Sequence, residues 1–129
     1  MLGGTKTFSS FSAGDLDAER TFYGETLGVD LTEENGMLML HLGEGREAIV
    51  YPKPDHTPAT FTVLNFQVDD LDREVDELMA KGVNFERYAG FEQDDRGIAS
   101  DGNGEMPRIA WFTDPAGNIL SLVEDVPGS

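Results

Sequence analysis

The stretch "DLDAERTFYGETLGV" (residues 15–29) is nearly restated as "DLDREVDELMAKGV" (residues 70–83). Both open on Asp-Leu-Asp, carry a glutamate (Glu19, Glu74) shortly after, and close on Gly-Val. Asp15 and Asp70 are each placed to cap a helix, because a short carboxylate accepts from the orphan N–H groups of a first turn. In the first helix Asp17 and Glu19 add charge where the helix dipole favours it. Leu16, Phe22, Tyr23 and Leu27 recur at helical spacing, as do Leu71, Val75, Leu78 and Met79 in the second. Gly28 and Gly82 are suited to stop the two helices.

Working outward, each helix has strands on both sides. "TFSSFSA" (7–13) precedes the first, with Phe8, Ser10 and Ser12 on one face and Ser9, Phe11 and Ala13 on the other. After it come "VDLTEE", "GMLMLHL" and "REAIVYP", separated by turns at Gly36 and "GEG" (43–45). "YPKPDHTPA" (51–59) carries three of the six prolines and reads as a linker over about 51–60. "FTVLNFQV" (61–68) then precedes the second helix, with Val63, Asn65 and Gln67 opposite Leu64, Phe66 and Val68. "VNFERY", a 19-residue polar loop (89–107), "RIAWFT", the turn "DPAGN" and "NILSLVE" complete the chain. The order is βαβββ, linker, βαβββ: an α+β domain of two modules, about 5–53 and 61–125. The helix starts are 55 residues apart and the Gly-Val pairs 54, which favours duplication of one unit.

Composition bounds the function. A chain of 129 residues with 39% hydrophobic content makes one ordinary domain with its own core. It has no cysteine, so disulfides, thiolate metal sites and a cysteine nucleophile are excluded. The net charge of −16 repels phosphate backbones and anionic lipid, so neither nucleic acid nor membrane is expected as a partner. Such acidity with only three lysines occurs in proteins working at high salt, and solubility accounts for it equally. The N-terminus lacks a signal-peptide pattern and no apolar run is long enough to span a bilayer, so a cytoplasmic protein is expected.

"FYGETLG" after an Asp-Leu helix start, and "FTDPAGNILSLVE" near the C-terminus, resemble the vicinal oxygen chelate superfamily, the group of glyoxalase I, the bleomycin-resistance proteins and the extradiol dioxygenases. "YPKPDHTPATFTVLNFQVDDLD" further resembles a bacterial, glyoxalase-like subgroup. The resemblance implies that the modules form curved mixed sheets around a cup-shaped pocket, helices outside, closed within one chain or across a homodimer. Ser10, Ser12, Asn65 and Gln67 would give that pocket a polar wall; the plainer reading is that these faces are solvated or meet another subunit.

The resemblance also implies where a divalent ion would sit, on the first and last strands of each module. Seven residues before each helix Asp the usual histidine is replaced by Phe8 and Val63, and seven after Asp114 the usual glutamate by Ser121. The fourth position is Glu47 or Ile49. Phe and Val do not ligate, and such a site needs three or four ligands. No metal and no other cofactor is therefore expected. His41 and His56 lack ligand-spaced partners and read as strand-edge and linker residues, with His41 and Glu47 across adjacent strands the one pairing to test. Arg96, beside Asp94 and Asp95, reads as a solvated loop charge or as an arm for an anionic ligand.

The expectation is thus a metal-free module of the resistance or sequestration kind. It would bind a small, partly aromatic molecule through Phe8, Ser10, Ser12, Glu47, Val63, Asn65, Gln67, Trp111 and Ser121, with Phe91 nearby. Of Trp111 and Phe112, one should face the pocket and the other the helix layer; plain core packing would account for Trp111 as well. The alternative is a lyase, isomerase or dioxygenase of the glyoxalase type, holding zinc, nickel or iron through other ligands such as His41 and Glu47, or using one carboxylate as an acid–base group.

Overall fold

The computed structural model describes residues 1–101 and 106–124. Residues 102–105, which include the end of the "GIASDGNG" stretch, and position 125, the expected end of the second module, lie outside the described residues. The chain divides into two compact units, Met1–Pro58 and Ala59–Ser129.

The first unit contains β1 (Ser9–Ala13), α1 (Leu16–Thr21), β2 (Asp30–Glu34), β3 (Met37–His41) and β4 (Glu47–Pro52). Its sheet runs β1-β4-β3-β2, with β1 parallel to β4 and the other pairs antiparallel. The Asp15 carboxylate caps α1 by accepting from the N–H groups of Asp17 and Ala18. The helix then widens into a π segment over Phe22–Thr26, so that Leu27 N–H reaches back to Phe22 O. Asn35 and Gly36 both take positive φ (54° and 76°), the geometry of the tight turn that joins twisted antiparallel strands, which only Gly and a few short polar residues enter at low cost. α1 packs on β3 and β4. Beneath it lie Phe11, Ala13, Leu38, Leu40, Ala48 and Val50, all buried, and Tyr23 and Glu19 of the helical segment are buried with them.

The second unit contains β5 (Thr62–Val68), α2 (Leu71–Ala80), β6 (Ile109–Thr113) and β7 (Ile119–Glu124) in the order β5-β7-β6. Asp70 caps α2 by accepting from Arg73 N–H. Leu71, Val75 and Leu78 bury one helical stripe, and α2 packs on β7. Met79, expected in that stripe, is 45% exposed, because its position lies at the stripe's margin.

The expected strand at "VNFERY" does not form. Phe85 makes a single bridge to Phe112, and Glu86 N–H donates to Trp111 O. The physical reason is Gln93, whose amide satisfies backbone groups that a longer ladder would use. Its Oε1 accepts from Tyr88 N–H, and its Nε2 donates to Glu86 O and Gly97 O. The outer edge of β6 is then completed by Ala99, which exchanges two backbone hydrogen bonds with Ile109. One strand's place is shared by two short segments. Much of the expected irregular loop is therefore tied down, and Asp94 turns it by accepting from the N–H groups of Arg96 and Ile98.

Candidate functional site

In each unit the helix covers one face of the sheet, and strand alternation sends the other set of side chains to the opposite, open face. On the open face of the first unit Ser10 lies beside Ile49 and Ser12 beside Tyr51. Across β4 and β3, Ile49 pairs with Met39 and Glu47 with His41. Glu47 and Ile49, left as alternatives by the sequence, thus share this face. Phe8 precedes β1 and is 63% exposed.

Both histidines are engaged with hydroxyls. Ser12 Oγ lies 2.6 Å from His56 Nδ1, so His56 draws the linker onto the open face. His41 Nε2 lies 2.8 Å from Thr32 Oγ1, and its Nδ1 lies 3.5 Å from Glu47 Oε2. Glu47 Oε1 meets Lys6 Nζ at 3.2 Å. The His41–Glu47 pairing therefore exists, with Thr32 and Lys6 as its further members. Among the described residues no three His, Cys, Asp or Glu side chains are grouped to hold a metal ion.

The open face of the second unit combines a polar pair with an aromatic cluster. Ser121 is fully buried and donates to Asn65 Oδ1 at 2.5 Å, on the strand directly beside it. Asn65 and Gln67 themselves are exposed, and Val63 is half-buried where the β5–β7 register shifts. On β6, Trp111 stands opposite Ser121 while Phe112 stands opposite Leu120, so Trp111 takes the open face and Phe112 the helix face. Trp111 is 8% exposed because Phe91 tilts against it at 4.8 Å and Tyr88 meets it edge-on at 5.3 Å. Burial, reinforced by Glu86, holds the Tyr88 phenol above its ordinary range. Phe91 is 56% exposed and also lines a cleft of about 570 Å³ with Gln93, Ile98, Ser100 and Arg108.

Arg96 is no free arm for an anion. It binds Asp76 at 2.8 Å and Asp72, both on α2. Asp72 also accepts from Arg108 at 2.7 Å, and Arg108 reaches Glu124 at 2.5 Å. This network fastens the loop to α2 and the sheet. Arg108 first, and Arg96 second, hold the Asp72 carboxyl below its usual range. A depressed carboxylate stabilises the fold above the unfolded-state value near 4 and stops doing so as pH falls through the lower native value. The Asp72 side chain is 43% exposed, so solvent screening limits the effect to about 1 kcal/mol. Asp72→Asn should therefore lower the urea midpoint at pH 7 and narrow the difference between pH 7 and pH 3. An unchanged pH difference would overturn this assignment.

Sequence reasoning did not find Thr32, Tyr51 or Tyr88 as members of these faces. The alternation of "MLMLH" was a usable signal for Met37, Met39 and His41 sharing the open side. Nothing local announces that Tyr88 will meet Trp111, since that contact depends on the path of the loop.

No curated protein sequence matches the chain. Solved structures do. A glyoxalase family protein from Enterococcus faecalis is 22% identical, with TM-score 0.69 over 96% of this chain and 100% of its own. An antibiotic-binding protein from a Streptomyces species is 23% identical, with TM-score 0.67 over 95% and 98%. A genomically encoded fosfomycin resistance protein from Listeria monocytogenes is 14% identical, with TM-score 0.70 over 98% and 97%. At these identities the likeness establishes the fold. The model of the Glyoxalase/Bleomycin resistance protein/Dioxygenase superfamily matches residues 10–122, and the chain belongs to that family.

Proposed function

We propose that this protein binds a small, partly aromatic organic molecule on the open faces of its sheets, without a metal, in a resistance or sequestration role. The observation that carries this reading is Trp111, walled by Phe91 and Tyr88 and set beside the Ser121–Asn65 pair. An aromatic surface next to a hydroxyl and an amide supplies apolar contact and orientation together, the usual composition of a small-molecule site. One neighbour in fold is an antibiotic-binding protein and another a fosfomycin resistance protein, which supports this reading. The resemblance aligns Phe8, Val63 and Ser121 with the ligand positions of the superfamily's metalloenzymes; Phe and Val side chains do not ligate, and Ser121 donates its hydroxyl proton to Asn65. We further infer a cytoplasmic homodimer, with no nucleic-acid partner given the net charge of −16.

Trp111 is the sole tryptophan, so the fluorescence originates on this face. Titration with a panel of aromatic antibiotics and fosfomycin should give saturable quenching by at least one aromatic member, unchanged by chelator. No response across the panel would sink the reading.

The second reading is a metal-dependent lyase, isomerase or dioxygenase, and the His41–Glu47 pair is the observation in its favour. Metal analysis of protein purified without chelator separates the two. The binding reading expects far less than one zinc, nickel or iron per chain and no turnover of a hemithioacetal.

A further inference from the structure

We propose that the segment from Tyr88 to Ala99 is a strap over Trp111, latched by Arg96 from the opposite side of the sheet. This deepens the small-molecule reading by assigning what controls access to the Trp111 face, and its meaning as a gate rests on that reading. The strap is built as one body. Residues Glu92 to Ser100 form a short hairpin, in which Asp94 N–H donates to Ile98 O at 2.9 Å and Ser100 N–H to Glu92 O at 3.3 Å. Gln93 bridges Ala99 within it, and Gly97 N–H closes the turn on Asp94 O at 3.0 Å. The Gln93 amide ties this hairpin to the Tyr88 end, since it holds Gly97 O, Glu86 O and Tyr88 N–H together.

Both ends are fixed to the outer edge of β6, through Glu86 N–H to Trp111 O and through Ala99 to Ile109. Between these anchors the Phe91 end is lightly held. Gly90 takes a φ of 96° in open space, and Phe91 N–H reaches Tyr88 O only at 3.4 Å. Phe91 nevertheless covers Trp111, ring centre to ring centre at 4.8 Å. The firm hold is at the hairpin tip, where Arg96 binds Asp76 at 2.8 Å and Asp72, both on α2. Glu92, Asp94 and Asp95 give the strap the same sign of charge as that helix, and Arg96 is its single cation. Arg96 therefore turns repulsion between strap and helix into attachment. The latch lies on the helix side and Trp111 on the open side, so access is set by charges that a guest never touches.

The test is acrylamide quenching of Trp111 in the intact protein without ligand. Quenching of a covered indole scales with the fraction of time that local opening leaves it uncovered. Arg96→Gln keeps a polar side chain but removes the charge, and should raise the quenching constant about two- to fivefold, the scale of an exposed ion-pair network. Phe91→Ala should raise it at least as far, and adding Arg96→Gln to that variant should raise it no further. Glu77→Gln breaks a pair with Arg73 within α2 itself and should leave quenching unchanged. An unchanged constant in Arg96→Gln overturns the proposal, as does an equal rise in Glu77→Gln or a further rise on the Phe91→Ala background. Because no guest is used, these outcomes are distinct from those of the antibiotic panel, whose silence would sink the binding reading and leave the strap in place.

Discussion

Replacing Phe112 with alanine is expected to destabilise the protein by about 3–5 kcal/mol, the range for truncating a large aromatic side chain in a packed core. Phe112 is fully buried, stands opposite Leu120 on the helix face, and meets Phe85 edge-on at 5.6 Å. Its ring also holds the segment at Phe85 against β6, where only one bridge forms. Truncation thus leaves a cavity and loosens the Phe85 segment from the edge of β6. Urea unfolding followed by circular dichroism measures the loss. Met79→Ala serves as the control: its side chain is 45% exposed, so a change within about 0.5 kcal/mol is expected. A Phe112→Ala loss as small as the control's would mean that the ring does not organise this core.

The second large effect concerns binding. Trp111→Ala should weaken the aromatic ligand identified by quenching by about thirtyfold or more, the loss of a buried aromatic anchor worth at least 2 kcal/mol. The variant has no tryptophan, so calorimetry replaces fluorescence. Because Trp111 is only 8% exposed, truncation also lowers stability, and Phe91→Ala separates the two effects. Phe91 is 56% exposed and contributes one wall of the cluster, so its removal should cost several-fold in affinity with little change in unfolding. Unaltered affinity in both variants would move the binding site away from this face.

The architecture was legible because its determinants are local. Asp15 and Asp70 cap helices through their own neighbouring N–H groups, and the Asn35–Gly36 turn requires only the two residues that make it. The opposite facing of Trp111 and Phe112 follows from a period of two along any strand. The missing strand at "VNFERY" was not legible, since its outcome depends on the turn that brings the nearby Gln93 amide back onto Tyr88 N–H and Glu86 O, which no residue pattern announces. The partners of Arg96 were not legible either: Asp76 and Asp72 lie on α2, 20 and 24 residues earlier in the chain.

The site divides along the same line. Sequence alone determined which strand positions carry hydroxyl, amide and aromatic groups, because alternation assigns them to a face regardless of the rest of the fold. Only the tertiary structure decided their partners: Ser121 with Asn65, Ser12 with His56, and His41 between Glu47 and Thr32. Those pairings depend on register between strands and on where a linker turns back. Such contacts join residues far apart in the chain, and their strength comes from distances of a few tenths of an ångström that no residue type encodes by itself.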